Sequence, residues 1–333
     1  MNILVTGGLG LIGHNVSSQL EQLGHTVVIA DNRTNYGIIP QAELDYLMCE
    51  RLDRVRTPSI YRADIESDTM DYLCRKHSID TIIHLASFPR QKVVNANPRW
   101  GSQVMMTGLI NLLETAKLRG VKKFVYISSS MVYGDFEDQV TEDAVCRPQG
   151  QYGIMKLAGE QLVKDYGRRG CFDYTIIRPS AVYGPLDVED RVVAKFMLTA
   201  MRGGTLKVNG AGETLDFTYS EDAASGIVAA CLSNKANNNV YNITKSHSVS
   251  LLEAAQKIVG IVGNGNIEVR DKDADFPSRG ALNIDAARND FGFDPQVDVE
   301  QGFDRYHHWL KNSTYWQRQI HEDSIRQSTP AVP

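Results

Sequence analysis

Tyr152 and Lys156 are the residues of this sequence whose types and spacing most directly suggest chemistry. They lie four apart at the start of a helix-like stretch, so both side chains share one face and can reach one bound molecule. A free tyrosine has a pKa of about 10, and a nearby lysine cation together with a positively charged cofactor ring favours its phenolate form. Tyr152 is therefore a candidate base near neutral pH. The pair alone is also compatible with an exposed helix surface.

A serine hydroxyl is available for the same substrate oxygen. Ser129 lies in the run Ser-Ser-Ser-Met-Val-Tyr-Gly at residues 128–134, after a strand-like apolar segment. A serine at a strand end can instead cap a turn. The chain order of glycine-rich loop, aspartate, serine and tyrosine–lysine pair is much harder to attribute to chance than any single part.

The glycine-rich loop follows the first strand-like run and opens a helix-like run at residues 14–23. Its GxxGxxG spacing is typical of a tight turn, a close backbone approach to a pyrophosphate and a helix N-terminus that faces the anion. Such loops also occur without a ligand, so the motif alone is a weak signal. We expect a dinucleotide to contact Gly7, Gly10, Leu11, Ile12 and Gly13.

Asp31 ends the second strand-like run, 21 residues after Gly10. A carboxylate there can accept hydrogen bonds from ribose hydroxyls and repels a 2′-phosphate, which favours NAD over NADP. A turn-forming aspartate is the alternative, and the nearby Arg33 keeps NADP open. Because strand ends of such sheets face the ligand, the further expected cofactor contacts are Asn32, Asp64, Ile65, Leu85, Ala86 and Ser87.

Strand-like and helix-like segments alternate through the first half of the chain. Apolar, β-branched runs occur at residues 3–6, 26–30, 81–85, 124–128 and 174–177. Strands that are apolar on both faces and separated by helices predict an α/β fold with a doubly wound parallel Rossmann sheet.

Glycine-rich punctuation after residue 184 predicts a smaller, interleaved C-terminal lobe with helices near residues 192–201, 223–232 and 251–262. The predicted division is 1–185 for the NAD-binding domain, with 215–245 returning to it, 186–214 and 246–315 for the substrate lobe, and 316–333 for a tail. The sequence leaves open whether the residues after about 312 form a tail or an oligomer contact.

Composition excludes several classes of protein. The 333 residues carry a formal net charge of −5 from 40 acidic and 35 basic residues without a basic block, so a nucleic-acid partner is not expected. The five cysteines are scattered and lack metal-ligand spacing, which predicts no metal and a reduced compartment. A strand-like run begins at Asn2, and no stretch approaches the roughly 20 apolar residues of a membrane span. We therefore expect a cytoplasmic protein.

Matching elements for a known family extend over nearly the whole chain. They are residues 6–13, 84–87, 128–134, 152–156, 178–185 (Arg-Pro-Ser-Ala-Val-Tyr-Gly-Pro), 216–219 (Asp-Phe-Thr-Tyr) and 241–243. On these elements the chain resembles the extended short-chain dehydrogenases/reductases of the NAD-dependent epimerase/dehydratase family, which includes UDP-galactose 4-epimerase. The resemblance implies NAD as cofactor, a nucleotide-diphosphate sugar as substrate and catalytic roles for Ser129, Tyr152 and Lys156. It also implies a homodimer through helices at about 98–118 and 153–167.

Three departures from the family pattern narrow this interpretation. Dehydrating relatives carry an Asp-Glu pair after the catalytic hydroxyl and decarboxylating relatives a Glu, whereas this chain has Ser130-Met131. A common Asn is replaced by Ala181, and an Arg that often binds the diphosphate is replaced by Leu215. Substrate contacts are therefore expected from Ser130, Arg191 and Arg279.

Together these features favour an NAD-dependent epimerase that inverts C4 of the sugar through a transient 4-keto intermediate. The first alternative is an NAD(P)-dependent dehydrogenase or keto-reductase with the same Ser/Tyr/Lys triad. A non-catalytic NAD-binding protein is the second, although a binder has no need of a general base.

Overall fold

The secondary structure of the computed structural model is described for residues 1–88 and 91–328. The strands are β1 (Asn2–Thr6), β2 (Thr26–Asp31), β3 (Ile60–Arg62), β4 (Thr81–His84), β5 (Lys123–Ile127), β6 (Asp173–Pro179), β7 (Val182–Tyr183), β8 (Thr205–Asn209), β9 (Thr214–Asp216), β10 (Thr218–Tyr219), β11 (Asn239–Ile243), β12 (Ser248–Ser250) and β13 (Asn266–Arg270). The helices are α1 (Leu11–Gln22), α2 (Gln41–Leu52), α3 (Thr69–Lys76), α4 (Gln91–Ala96), α5 (Pro98–Ser102), α6 (Gly108–Arg119), α7 (Gly150–Arg168), α8 (Val192–Met201), α9 (Ser220–Leu232), α10 (Leu251–Val262), α11 (Asp285–Phe291), α12 (Val299–Asn312) and α13 (Thr314–Ser328).

The central sheet has the strand order β11-β6-β5-β4-β1-β2-β3, and each neighbouring pair is parallel. Successive residues of β1 point to opposite faces, so Leu4 joins one apolar layer while Ile3 and Val5 join the other. Helices cover both layers, as a parallel sheet buried on both faces requires. The predicted doubly wound Rossmann fold is confirmed.

A second lobe is built from short two-stranded sheets, β7–β10, β9–β12 and β8–β13, around its own apolar core. Rings of Tyr183, Phe217 and Phe303 pack edge to face in that core, with centroids 5.3–6.0 Å apart. The chain leaves the central sheet after β6 and returns for β11, which interleaves the two lobes. The exact domain boundaries stay a prediction.

The secondary structure of two segments differs from what the sequence predicts. The long helix expected at 98–118 runs from α5 to α6 through a π-helical turn, Gln103–Thr107. The predicted tail is a helix, α13, for most of its length, because Trp316 is buried in the second-lobe core; residues 329–333 lie outside the described residues. Among the described helices, none combines the length and apolar character needed to cross a membrane.

Candidate active site

One large cavity lies along the carboxyl ends of the central strands and continues into the second lobe. Its volume of about 1130 Å³ slightly exceeds the usual range for ligand pockets, about 300–1,000 Å³. The predicted site residues that line it are Gly7, Gly10, Leu11, Ile12, Gly13, Asp31, Asn32, Ile65, Leu85, Ala86, Ser87, Ser129, Ser130, Tyr152, Lys156, Arg191 and Arg279. The fold therefore brings residues from five strand ends, from α7 and from the second lobe to one space.

The glycine-rich loop forms a cradle at one end of this cavity. Gly7 has a φ of +69°, and a Cβ there would approach the Ala86 nitrogen to 2.7 Å; a Cβ on Gly13 would overlap the Gly7 carbonyl oxygen. Within the described chain, no side chain caps the N-terminus of α1, and its first turn carries no acidic residue. This end of the helix thus presents open amides and a positive dipole end, which fits a dinucleotide pyrophosphate.

Asp31 fixes the loops around the cradle. Its carboxylate accepts the backbone N–H of Leu9 (3.0 Å) through Oδ2 and that of Arg33 (2.8 Å) through Oδ1. Each carboxylate oxygen has a second lone pair, so both can still accept from a ribose hydroxyl at the cavity wall.

Asp64 is placed differently from its prediction. Alone among the predicted contacts in the described part of the chain, it lies outside the cavity lining, and it is exposed. Its Oδ1 accepts the Glu66 N–H at 3.2 Å, so the side chain caps the turn before α3, while the adjacent Ile65 lines the cavity.

The Ser/Tyr/Lys residues meet where β5 and α7 face each other. Tyr152 and Lys156 are one turn apart on α7, and the Lys156 ammonium lies 5.9 Å from the centre of the Tyr152 ring. Ser129 follows β5, and its hydroxyl is near enough to Tyr152 to act on the pKa of the phenol. Lys156 donates to the Ile127 carbonyl (2.8 Å), and Met131 N–H donates to Ser129 Oγ (3.2 Å). Strand β5, helix α7 and the turn that contains Met131 thereby hold Ser129, Tyr152 and Lys156.

Burial has the largest effect on the pKa values of Lys156 and Tyr152. It lowers the pKa of Lys156 to about 7, and the Glu160 carboxylate opposes that shift. Burial also raises the pKa of Tyr152, while the charge of Arg191 and the hydroxyl of Ser129 act in the other direction. In the protein alone, therefore, Tyr152 is a neutral phenol, and the phenolate expected from the sequence needs further positive charge in the cavity.

The substrate half of the cavity is rich in cations. Arg191 directly precedes α8 as its N-cap residue, and its charge acts on the Tyr152 phenol. Arg279 places Nη1 3.5 Å from the Met131 sulfur, and its buried Nε has no hydrogen-bond partner among the described residues. Ser130 donates to Ser180 Oγ at 3.2 Å.

Sequence reasoning missed two buried charged residues beside the cavity. Arg51 on α2 donates to the carbonyls of Leu9 (3.0 Å) and Leu186 (2.6 Å), which ties the glycine-rich loop to the loop that enters the second lobe. Glu160 lies on α7 one turn after Lys156 and pairs with Arg178 at 2.7 Å. The four-residue spacing between Lys156 and Glu160 is visible in the sequence and could have indicated this residue. Arg51 is positioned only by tertiary packing. No described group of His, Cys, Asp and Glu side chains could hold a metal.

Comparisons with known proteins identify the family and fold relatives of this chain. The model of the NAD dependent epimerase/dehydratase family matches residues 3–244. A putative UDP-glucose 4-epimerase of Methanocaldococcus jannaschii is 28% identical over 93% of this chain and 99% of its own. A UDP-N-acetyl-alpha-D-glucosaminuronate decarboxylase of Bacillus cytotoxicus is 28% identical over 96% and 98%. The crystal structure of UDP-glucuronic acid 4-epimerase from Bacillus cereus, in complex with UDP-glucuronic acid and NAD, superposes with a TM-score of 0.85 at 26% identity and covers 93% of this chain and 99% of its own.

Proposed function

Because the chain belongs to the NAD-dependent epimerase/dehydratase family, we propose that it is an epimerase that inverts C4 of a nucleotide-diphosphate sugar through a transient 4-keto sugar. NAD is the cofactor of this family, and the glycine cradle, the open N-terminus of α1 and Asp31 are the parts of this chain that fit it. Relatives of similar identity include both epimerases and a decarboxylase, so the reaction has to be argued from the site.

The observation that best supports this proposal is the identity of the two residues that follow Ser129. Ser129 is followed by Ser130 and Met131, which are buried, so no carboxylate stands in these two positions. Elimination of water and decarboxylation both need acid/base groups beyond those that move the C4 proton. The trio of Ser129, Tyr152 and Lys156 suffices for oxidation and re-reduction at one carbon, and this supports the epimerase.

In the proposed mechanism, the glycine cradle, the N-terminus of α1 and Asp31 would hold NAD, which would supply the hydride-transfer chemistry at C4 when bound. Tyr152 Oη takes the proton of the C4 hydroxyl and later returns a proton to the ketone oxygen. Ser129 Oγ holds that oxygen in place, and the Lys156 cation stabilises negative charge on the phenol oxygen. For C4 to be inverted, the 4-keto sugar must turn in the cavity so that the hydride returns to its other face; since hydride and proton are both returned, substrate and product have equal mass.

Arg279 is the group we assign to the substrate diphosphate. Thr214 Oγ1 donates to the Arg279 carbonyl, so Arg279 lies beside the residue that precedes Leu215, the position at which family members often carry a diphosphate-binding arginine. Burial lowers the pKa of Arg279 to about 10, which still leaves the guanidinium charged at neutral pH. Arg191, closer to the Tyr152 phenol, is assigned to the sugar end.

The proposal is tested with protein purified without added cofactor. Bound NAD is quantified after denaturation, and UDP-, GDP-, CDP- and dTDP-sugars, including hexuronic acids, are supplied one at a time. We expect retained cofactor, a product of unchanged mass with inverted C4, and no net change in NADH absorbance. The matched control is Tyr152→Phe, which keeps the ring and loses the oxygen; its turnover should fall at least 100-fold, about 2.7 kcal/mol of barrier, with NAD still bound.

A different result would redirect the assignment. Net formation or consumption of NADH with a two-hydrogen mass difference would make the protein a dehydrogenase or keto-reductase. Turnover by Tyr152→Phe within about tenfold of wild type would remove Tyr152 as the base.

A further inference from the structure

A buried ion pair lies directly behind the catalytic side chains. The Glu160 carboxylate is fully buried and accepts three hydrogen bonds, one from Ser128 Oγ (2.6 Å) and two from Arg178, through Nε (2.9 Å) and Nη2 (2.7 Å). Burying two charges is costly, and apolar pairs of similar volume are often equally stable or more stable. Stability alone therefore does not account for this pair.

Glu160 connects the two elements that carry the catalytic trio. Tyr152, Lys156 and Glu160 follow one another at four-residue steps along one face of α7. Its partner Ser128 directly precedes Ser129 at the end of β5. The hydrogen bond from Ser128 to Glu160 thus ties the strand end that positions Ser129 to the helix that positions Tyr152.

Arg178 anchors this connection to the neighbouring strands. It is the penultimate residue of β6, and its Nη1 donates to Tyr133 Oη (2.9 Å) and to the Glu142 carbonyl (3.0 Å). Tyr133 Oη in turn donates to Asn242 Oδ1 on β11 at 2.8 Å. Because β5, β6 and β11 are adjacent in the sheet, the network joins three strand ends beside the cavity.

The same carboxylate acts on the charge of Lys156. Burial lowers the pKa of Lys156 and the Glu160 charge raises it. The other titratable and charged groups that face Lys156 or Glu160 from the elements packed against them are His84, Tyr126, Cys146, Tyr152 and Arg178. Of Glu160 and these described groups, Glu160 alone carries a carboxylate.

We propose that Glu160 is a positioning residue of the active site, which holds Ser129 in register with Tyr152 and keeps Lys156 positively charged without touching the substrate. This inference rests on the function proposed above for the trio. It separates into a mechanical role through Ser128 and an electrostatic role toward Lys156, and each role has its own variant.

The electrostatic role is tested with Glu160→Met/Arg178→Met, which replaces the buried pair by apolar side chains of similar length. Lys156 lines the cavity, so its rate of acetylation by acetic anhydride can be followed by peptide mass spectrometry as a function of pH. We expect the midpoint of this profile to fall by about one pH unit or more in the double variant, since an opposite charge nearby shifts a pKa by about 1–3 units. This readout needs no substrate.

The mechanical role is tested with Ser128→Ala, which removes one hydroxyl and no charge. With the sugar nucleotide that the wild type converts, kcat should fall at least tenfold and KM should change less than about twofold, because ground-state binding is untouched. The Lys156 labelling midpoint should stay at its wild-type value. Glu160→Asp, which keeps the charge, should also keep that midpoint.

The matched control is the exposed pair Asp71 and Arg119, with N–O distances of 2.6 Å, changed to Asp71→Asn/Arg119→Met. It should leave both kcat and the labelling profile unchanged. A folded double variant with the wild-type midpoint, together with wild-type kcat in Ser128→Ala, would overturn the inference. Failure of the proposed function would instead appear as turnover by Tyr152→Phe, whereas the labelling result would still decide the role toward Lys156.

Discussion

At the scale of single residues, Asp31 has two tasks that a substitution can separate. It holds the backbone amides of Leu9 and Arg33, and its charge lies at the cavity wall, where we expect the ribose of the cofactor. Arg33 lines the same part of the cavity, and its buried Nε has no hydrogen-bond partner among the described residues. Loss of the Asp31 charge would therefore leave a cation beside an uncharged acceptor.

We predict that Asp31→Asn weakens NAD binding several-fold and improves binding of NADP relative to NAD by at least about tenfold, or ~1.4 kcal/mol. Asparagine keeps the size of the side chain and one acceptor oxygen, so one of the two backbone amides that Asp31 holds keeps its partner and the other loses it. Calorimetric titration of cofactor-free protein with both dinucleotides measures the ratio. A wild type that already prefers NADP would show the ribose assignment to be wrong.

His84 gives the protein a defined acid sensitivity. It ends β4, is buried, and shares a hydrogen bond of 2.8 Å with Thr6 Oγ1. Burial and the Lys156 charge lower its pKa to about 3. Between pH 6.5 and 3 the unfolded chain therefore binds a proton at this histidine that the native state does not, so stability falls as the pH falls through this range.

We predict that wild-type protein loses about 2 kcal/mol of unfolding free energy relative to His84→Gln when the pH is lowered from 7.5 to 5. The glutamine amide can still bond Thr6 but does not titrate. Urea denaturation at both pH values measures the difference, and the exposed His308→Gln serves as control. Parallel pH dependence in wild type and His84→Gln would contradict the assignment.

The residue level also shows what sequence could reach. The glycines, Asp31, Ser129, Tyr152 and Lys156 sit in short local motifs whose spacing carries their chemistry. The hydrogen-bond partners of Arg51 lie 42 or more positions away in the sequence. Glu160, the partner of Arg178, lies 18 positions away. No local pattern marks such pairs, because tertiary packing alone brings them together.

At the scale of elements, α2 depends on the C-terminal helix. Tyr46 on α2 stacks on Tyr315 with ring centroids 4.9 Å apart, and its hydroxyl is 2.8 Å from Ser313 Oγ. The other side of α2 lines the cavity through Leu44, Met48 and Arg51. Residues after α12 thus support a wall of the cofactor site.

We predict that truncation after Asn312 lowers the melting temperature and weakens NAD binding, and that Tyr315→Ala alone weakens NAD binding a few-fold. A stacked ring pair is worth about 0.5–1.5 kcal/mol, of which only a part reaches the cofactor through α2. Differential scanning fluorimetry and calorimetric titration measure both effects. The exposed Arg318→Ala should behave as wild type; unchanged NAD affinity after truncation would restrict α13 to a role in stability.

Elements were predictable where their pattern was regular. The two-sided apolar strands of the central sheet, and helices α8 and α10 to the residue, follow from periodicity. The two- and three-residue strands of the second lobe carry too few residues for a period to show. The helix α13 was read as a tail because its polar composition hides the contact that Tyr315 and Trp316 make.

At the scale of the whole molecule, the outer surface of α6 and α7 exposes aliphatic side chains. Ile110 is 42% exposed, Leu118 70% and Ile154 47%. The two helices pack against each other, with Tyr166 of α7 hydrogen-bonded to Glu114 of α6. Exposed aliphatic residues on paired helices are compatible with a surface that binds another protein, and the family resemblance implies a second copy of this chain.

We predict a homodimer in which α6 and α7 of two protomers form a four-helix contact, and that Ile110→Glu/Ile154→Glu converts it to a monomer. A carboxylate in the buried centre of such a contact would lose its hydration without a partner, a cost that exceeds what the remaining aliphatic contacts return. Size-exclusion chromatography with light scattering at micromolar concentration measures the mass. The control is Val269→Glu, 54% exposed on β13 in the second lobe, which should stay dimeric.

Because α7 also carries Tyr152 and Lys156, the monomeric variant should lose turnover in proportion to the loss of order in this helix, visible as faster amide exchange along α7. A wild type that is monomeric at these concentrations would refute the contact, and a dimer that survives both glutamates would place the interface on another face.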